Sequence, residues 1–380
     1  MKRLNLLRPF ESPETVEPLE LLNPLNPLNL LNPLNLLNPL NPSLRHATAA
    51  SSRDEAGRVP RPYLSSCSEE VAWSVTRARH GRGTRTPLTA LEQASVEALA
   101  YADVFDYPLM PPEVHRYLAG VAAMPPAVTD ALGSAALVPY VSRIGGFFTL
   151  RGREALVGTR ARRCEIAKSL WTSAHRYGAA IDALPFVRLV AVSGALALDN
   201  VDAGADIDYF IVTEPDRLWV CRAAVIALVR LAARRGVTVC PNYFVSERAL
   251  EIGDRTLFAA HEVAQMVPLS GWRTYRRFRR LNRWTDAFLP NAIGTPRPVL
   301  APDRVKPRMS RLAEAVGRTI VGGGIERWEM RRKVRRFSGR PHGNGEARFG
   351  ADWCKGHFGG YAERVLTSFS ERLRAMELRA

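Results

Sequence analysis

The chain has 380 residues, 46% of them hydrophobic, with 53 Lys and Arg against 37 Asp and Glu and a net charge of +16. That length can bury more than one core, and the charge favours anionic partners such as nucleotides, phosphorylated substrates or nucleic acid. Five cysteines at wide spacing, never as CxxC, argue against a disulfide framework or zinc site and fit a reducing cytoplasm.

At the start, "MKRLNLLRPF" runs into acids and prolines instead of an apolar core, so no signal peptide is expected. Residues 19–42, "LELLNPLNPLNLLNPLNLLNPLNP", repeat Asn-Pro-Leu units that sustain neither helix nor sheet, because proline removes donors and restricts its neighbour. With the Ser-, Arg-, Gly- and Pro-rich stretch that follows, 1–86 reads as a disordered, low-complexity N-terminus. No methionine lies between Met1 and Met110, so a start codon at a valine such as Val59 or Val75 is a further expectation.

Order is expected from residue 87. Leu91, Val96, Leu99, Ala100 and Val104 form a helical apolar stripe, Pro112 opens a second helix, Pro126 a third, and "YVSRIGGFFTL" reads as a hairpin about Gly145-Gly146. Three helices and a hairpin make a winged-helix pattern, and a basic helix or helix pair over 151–182 completes a domain of 87–183. "FVRLVAV" from Phe186, "IDYFIV" from Ile207 and "VTVCPNYFV" from Val237 read as buried strands. The long apolar helix between the last two carries Arg222 and Arg230, which makes it a buried element and no membrane span. The fold class is therefore α+β, with an α/β-like mixed sheet in 184–290 and a helical C-terminal part in 291–380. No membrane partner is expected.

The chemistry concentrates in "VSGALALDNVDAGADIDYFIVT", residues 192–213. Side chains two apart on a strand share a face, so Asp206 and Asp208 stand side by side. Unpaired, they repel and raise each other's pKa; a divalent cation held by oxygen ligands removes that penalty. Gly194 lets backbone approach a phosphate closely, and a helix beginning at Ala195 to Leu198 would aim free N–H groups at it.

Glycine after a strand, eleven residues, then Asp-hydrophobic-Asp in the next strand resembles the DNA polymerase β-like nucleotidyltransferase superfamily, and in particular bacterial nucleotidyltransferase-domain proteins, over roughly 186–290. The resemblance implies that Asp206 and Asp208 hold Mg2+, that Ser193, Gly194 and Ala195 contact the phosphates of a nucleoside triphosphate, and that a nucleoside monophosphate passes to an unknown hydroxyl acceptor. Two positions depart from the family. Ala195 stands where a hydroxyl or glycine is usual, and Asn242 stands where the third carboxylate is expected, leaving Glu247 at that strand's end as the nearest acid. A catalytically degenerate copy and a winged-helix nucleic-acid-binding regulator are the alternatives.

Three other features carry blander readings. In "GWRTYRRFRRLNRW" from Gly271, Tyr275, Phe278, Leu281 and Trp284 fall on an inward helical stripe with the arginines as a solvated face; a nucleic-acid surface is the competing reading. His261 and Glu262 have no second histidine at metal spacing and read as helix-surface or hydrogen-bonded core residues, and His357 is equally unsupported. The third helix, "PPAVTDALGSAALV", lacks Lys, Arg, Asn and Gln, so nucleic-acid binding is expected to be nonspecific.

Overall fold

The computed structural model describes residues 87–298, 305–338, 348–355 and 360–378. The N-terminus expected to be disordered, most of the loop from Ser338, and His357 lie outside the described residues.

The helix α1 (Ala90–Asp103) begins where chemistry dictates: the Thr89 hydroxyl accepts from the Glu92 N–H, and the Glu92 carboxylate takes the Thr89 N–H. Prolines open α2 (Pro111–Arg116) and α3 (Pro125–Leu132), where a missing N–H costs nothing. The strands β1 (Val141–Ile144) and β2 (Phe147–Leu150) pair antiparallel, and Leu109 bridges to Phe148. One unbroken helix, α4 (Leu156–Asp182), follows.

Then come β3 (Val187–Val192), the single turn α5 (Gly194–Ala197), β4 (Ile207–Thr213), α6 (Leu218–Ala233), β5 (Val239–Ser246), α7 (Leu257–Gln265), β6 (Val267–Ser270), α8 (Trp272–Leu281) and α9 (Thr285–Phe288). The C-terminal part supplies α10 (Arg308–Gly317), α11 (Ile320–Ser338), β7 (Arg348–Phe349), β8 (Trp353–Lys355) and α12 (Tyr361–Ala375). The protein is mixed α+β. Its six-stranded sheet has the order β6-β3-β4-β5-β8-β7, with β4 and β5 parallel and the other neighbours antiparallel. No described helix is long and apolar enough to cross a membrane.

Both sheet faces are covered, which explains why β3 and β4 read as continuous apolar runs. Val190, Val192, Tyr209 and Ile211 pack with Trp171, Tyr177 and Ile181 of α4 and Trp219 and Val225 of α6. Leu189, Ala191, Phe210 and Val212 pack on the opposite side with Val263 of α7 and Tyr275 and Phe278 of α8. α4 thus belongs to the sheet's core, so the expected boundary at 183 falls inside a packed unit. The C-terminal part is not purely helical either: β8 pairs with β5, and Val365, Phe369 and Leu373 of α12 complete the core of α1. Strands of two or three residues give no period in sequence and form here because β5 offers an open edge.

The N-terminus of α6 has no side-chain cap of its own. The buried Glu326 carboxylate of α11 accepts both the Trp219 and Val220 N–H groups at 2.8 Å. Free helical donors are thereby satisfied from more than a hundred residues away.

On α8, Tyr275 and Phe278 are buried, whereas Leu281 is exposed, and Trp284, which lies beyond the helix at the start of α9, is half-buried; Arg276, Arg277 and Arg280 face solvent. Phe278→Ala is expected to lower unfolding free energy by about 3–5 kcal/mol, and Arg277→Ala by under about 0.5 kcal/mol. Urea unfolding of the two variants checks this; equal losses would refute a purely packing role for the aromatic stripe.

Candidate active site

Because β4 alternates, Ile207, Tyr209 and Ile211 point into the α4–α6 core while Asp208, Phe210 and Val212 face α7. Asp206 enters just ahead of the strand. Oxygens of Asp206 and Asp208 and the sulfur of Cys240, from the neighbouring β5, all lie within 4.8 Å of one another. Asn242 Nδ2 donates to Asp208 Oδ1 at 3.3 Å, leaving its own Oδ1 buried and unpartnered; Asp206 Oδ2 is buried and unpartnered too.

Gly194 closes the other side. Its φ of 65° is a conformation that side chains disfavour, and a Cβ there would sit 2.4 Å from Asp208 Oδ2. Ser193 N–H donates to the Asp208 carbonyl at 3.0 Å, which ties the turn after β3 to β4. Ala195 is exposed on α5, a helix of only four residues. The expected run of helical N–H donors shrinks to one turn.

The loop between α5 and β4 is held from outside the sheet. Tyr107 Oη donates to the Leu198 carbonyl at 2.8 Å, Asn200 Nδ2 to the Phe105 carbonyl at 2.9 Å, and Trp171 Nε1 to Asp199 Oδ1 at 2.7 Å. Arg163 of α4 grips Asp202 through Nε at 3.1 Å and Nη2 at 2.9 Å.

Burial and crowding set the electrostatics. Burial pushes the Asp206 carboxyl up to about 6. Burial raises Asp208 well above the usual carboxylate range, helped by the charges of Asp206 and Glu262 and opposed by hydrogen bonds from Cys240 and Asn242. The Cys240 thiol is also driven well up, first by burial and then by the neighbouring carboxylates. A protonated thiol here is a donor to Asp208 and no nucleophile.

Beside this cluster lies a cavity of about 700 Å3 that Ser193 and Asn242 share with α7, β8 and α12. Its wall is largely apolar, with Phe210, Tyr243, Phe258 and Met266, and carries Glu262, Lys355 and Tyr361. Burial pushes Glu262 up to about 7, with Lys355 opposing. Its neighbour His261 is buried core, stacked on Tyr101 at 3.8 Å with Nδ1 against the Leu257 carbonyl.

The structure therefore brings together Ser193, Gly194, Asp206 and Asp208, and leaves Glu247 apart. Glu247 N–H bonds the Thr213 carbonyl at the opposite end of β4, roughly 16 Å from Asp208 at about 3.3 Å per residue, and its carboxylate takes the Thr274 hydroxyl. Glu247 cannot be the third carboxylate. Cys240 was legible in principle, since it sits two before Asn242 on the same strand. Nothing local marks Glu262, which only the packing of α7 brings to the cavity.

No family model matches the chain, and neither does any curated protein or solved structure.

Beside the Cys240 thiol, the two crowded carboxylates and the Asn242 amide offer oxygen donors suited to a hard divalent cation, and two of those oxygens, Asp206 Oδ2 and Asn242 Oδ1, are buried without partners. Without a cation the raised carboxyls favour the folded state at low pH. That stability is fully present below the unfolded value near 3.8 and is lost as pH rises through about 6 and above. Asp208→Asn is thus expected to stabilise the metal-free protein at pH 7.5, raising its melting temperature in EDTA above that of the unmodified chain. Millimolar Mg2+ should raise the melting temperature of the unmodified chain and leave the variant unmoved. Thermal melts with EDTA or Mg2+ decide it; a variant less stable in EDTA would refute the strained pair.

Proposed function

We propose that the chain is a Mg2+-dependent nucleotidyltransferase, with a DNA polymerase β-like nucleotidyltransferase fold around 184–290 and a winged-helix-like companion in 87–150. The carrying observation is the convergence of Gly194, Asp206, Asp208 and Asn242, with the Asp206 and Asn242 oxygens buried and unpartnered. The free Cys164, Cys221, Cys240 and Cys354 support a cytoplasmic location.

Asp206 and Asp208 hold the cation, and Asn242 supplies a neutral oxygen where the family has a third carboxylate. Bound there, magnesium neutralises phosphate charge and polarises the α-phosphorus. The backbone at Ser193 and Gly194 lies against the phosphates of the nucleoside triphosphate. The cavity receives the nucleotide and the hydroxyl acceptor. The acceptor oxygen bonds to the α-phosphorus, the bond to the bridging oxygen breaks, and pyrophosphate leaves. Glu262, near neutrality and facing the cavity, takes the hydroxyl proton. Asn242, the exposed Ala195 and the distant Glu247 favour a second reading, an inactive copy that still binds nucleotide.

Pyrophosphate release with each common nucleoside triphosphate in cell extract tests the reading. Asp208→Asn should cut the rate at least about 100-fold, Glu247→Gln should leave it unchanged, and Asn242→Asp should tighten Mg2+ dependence. Magnesium-dependent nucleotide binding without release by the unmodified chain identifies the inactive copy; absence of binding sinks both.

The exposed side of α3 carries Ala127, Thr129 and Asp130 and no cation, which supports a positioning role over DNA reading for the winged-helix-like part. In mobility shifts the full chain should give only competitor-sensitive binding that falls steeply with salt. A discrete, sequence-selective complex would promote the regulator.

A further inference from the structure

The helices α10 and α11 turn their carboxylates inward. Glu314 accepts the Phe186 N–H and pairs with Arg188, Glu326 caps α6, and Glu329 binds Arg332; all three are buried. They are the only acids in 305–336, so the exposed surface of this segment contains no carboxylate.

What it exposes instead is apolar. On α10, Met309, Leu312 and Val316 recur at i, i+3 and i+7, opposite the inward Ser310 and Glu314. On α11, Val321, Ile325 and Trp328 recur at i, i+4 and i+7, opposite Glu326 and the core-packed Met330 and Val334. Exposure reaches 75% at Met309 and 63% at the large Trp328. Arg308, Arg311, Arg327, Arg331 and Arg335 are exposed on the same two helices.

We propose that the exposed stripes of α10 and α11 together form a docking surface for an anionic lipid bilayer. Aliphatic side chains with a tryptophan, flanked by arginines whose stems can reach back to the headgroups, match the boundary between acyl chains and negative headgroups. A second copy is disfavoured, because it would set one arginine-rich, acid-free face against another in a chain of net charge +16. Nucleic acid would meet the arginines but leave the exposed aliphatic groups without an apolar partner. The association lies on the membrane and is independent of the nucleotide reading.

Flotation of the full chain with vesicles tests this. At low salt, vesicles of phosphatidylcholine with 30% phosphatidylglycerol should carry the chain, about tenfold more than pure phosphatidylcholine, with loss at high salt. Val316→Asp with Val321→Asp should abolish flotation, with an unchanged circular dichroism melt, because both side chains already face solvent. Trp328→Phe should float and remove a blue shift of tryptophan emission. Equal flotation of the Val316→Asp, Val321→Asp variant, or none with the anionic vesicles, overturns the proposal. So does a dimer in light scattering that the same double substitution converts to monomer, or DNA binding that this double substitution weakens.

Discussion

The crowding of Asp208 on β4 with Asp206, which enters just ahead of that strand, is the constraint around which this structure is arranged. Left alone, the pair would twist or protonate. β5 answers with a thiol and an amide as donors to Asp208, while the turn after β3 answers with a glycine, because any Cβ at 194 would collide with the Asp208 carboxylate. Neither answer neutralises the charge. Asp206 Oδ2 and Asn242 Oδ1 remain buried without partners, a condition that costs free energy and that a bound cation or water would relieve.

Holding that geometry takes more than the sheet. The loop from Leu198 to Asp202 leads directly into the aspartates, and its anchors come from the segment 105–107 and from Arg163 and Trp171 of α4. Arg160 stands behind this clamp, paired with Glu113 at 2.7 Å and stacked 4.0 Å over Tyr107. A share of the positive charge is therefore structural: Arg153, Arg163, Arg188 and Arg372 all hold acids as well. Net charge alone overstates how much of the protein awaits an anion.

The sequence made the local chemistry legible and the long-range assembly obscure. Strands β3 to β5, the glycine turn and the shared face of Asp206 and Asp208 follow from periodicities that need only neighbours within a few residues. Glu247 misled because chain order put it nearest to the expected third position, whereas the parallel pairing of β4 with β5 sets Asp208 beside Cys240 and Asn242 and sends Glu247 to the far end. Glu262 and the short strand β8 depend on packing between segments about a hundred residues apart, for which no local period exists. α12 is the same case, reaching back to complete the core of α1.

The inward glutamates of α10 and α11 tie internal stability to surface character. A helix start such as that of α6 needs an acceptor, and the Phe186 N–H at the entry to β3 needs another. Meeting both needs with Glu326 and Glu314 turns acidic side chains of α10 and α11 inward. Arginine and apolar groups are what remain outside. The composition of that face is thus partly a by-product of capping. Its aliphatic stripes are not, since a helix anchored by one face needs only polar residues on the other. Six large apolar side chains facing solvent at regular helical spacing oppose the ordinary cost of hydrating them, and capping does nothing to offset that cost. An apolar partner for the stripes, with negative charge to meet the arginines, accounts for both parts of the pattern at once.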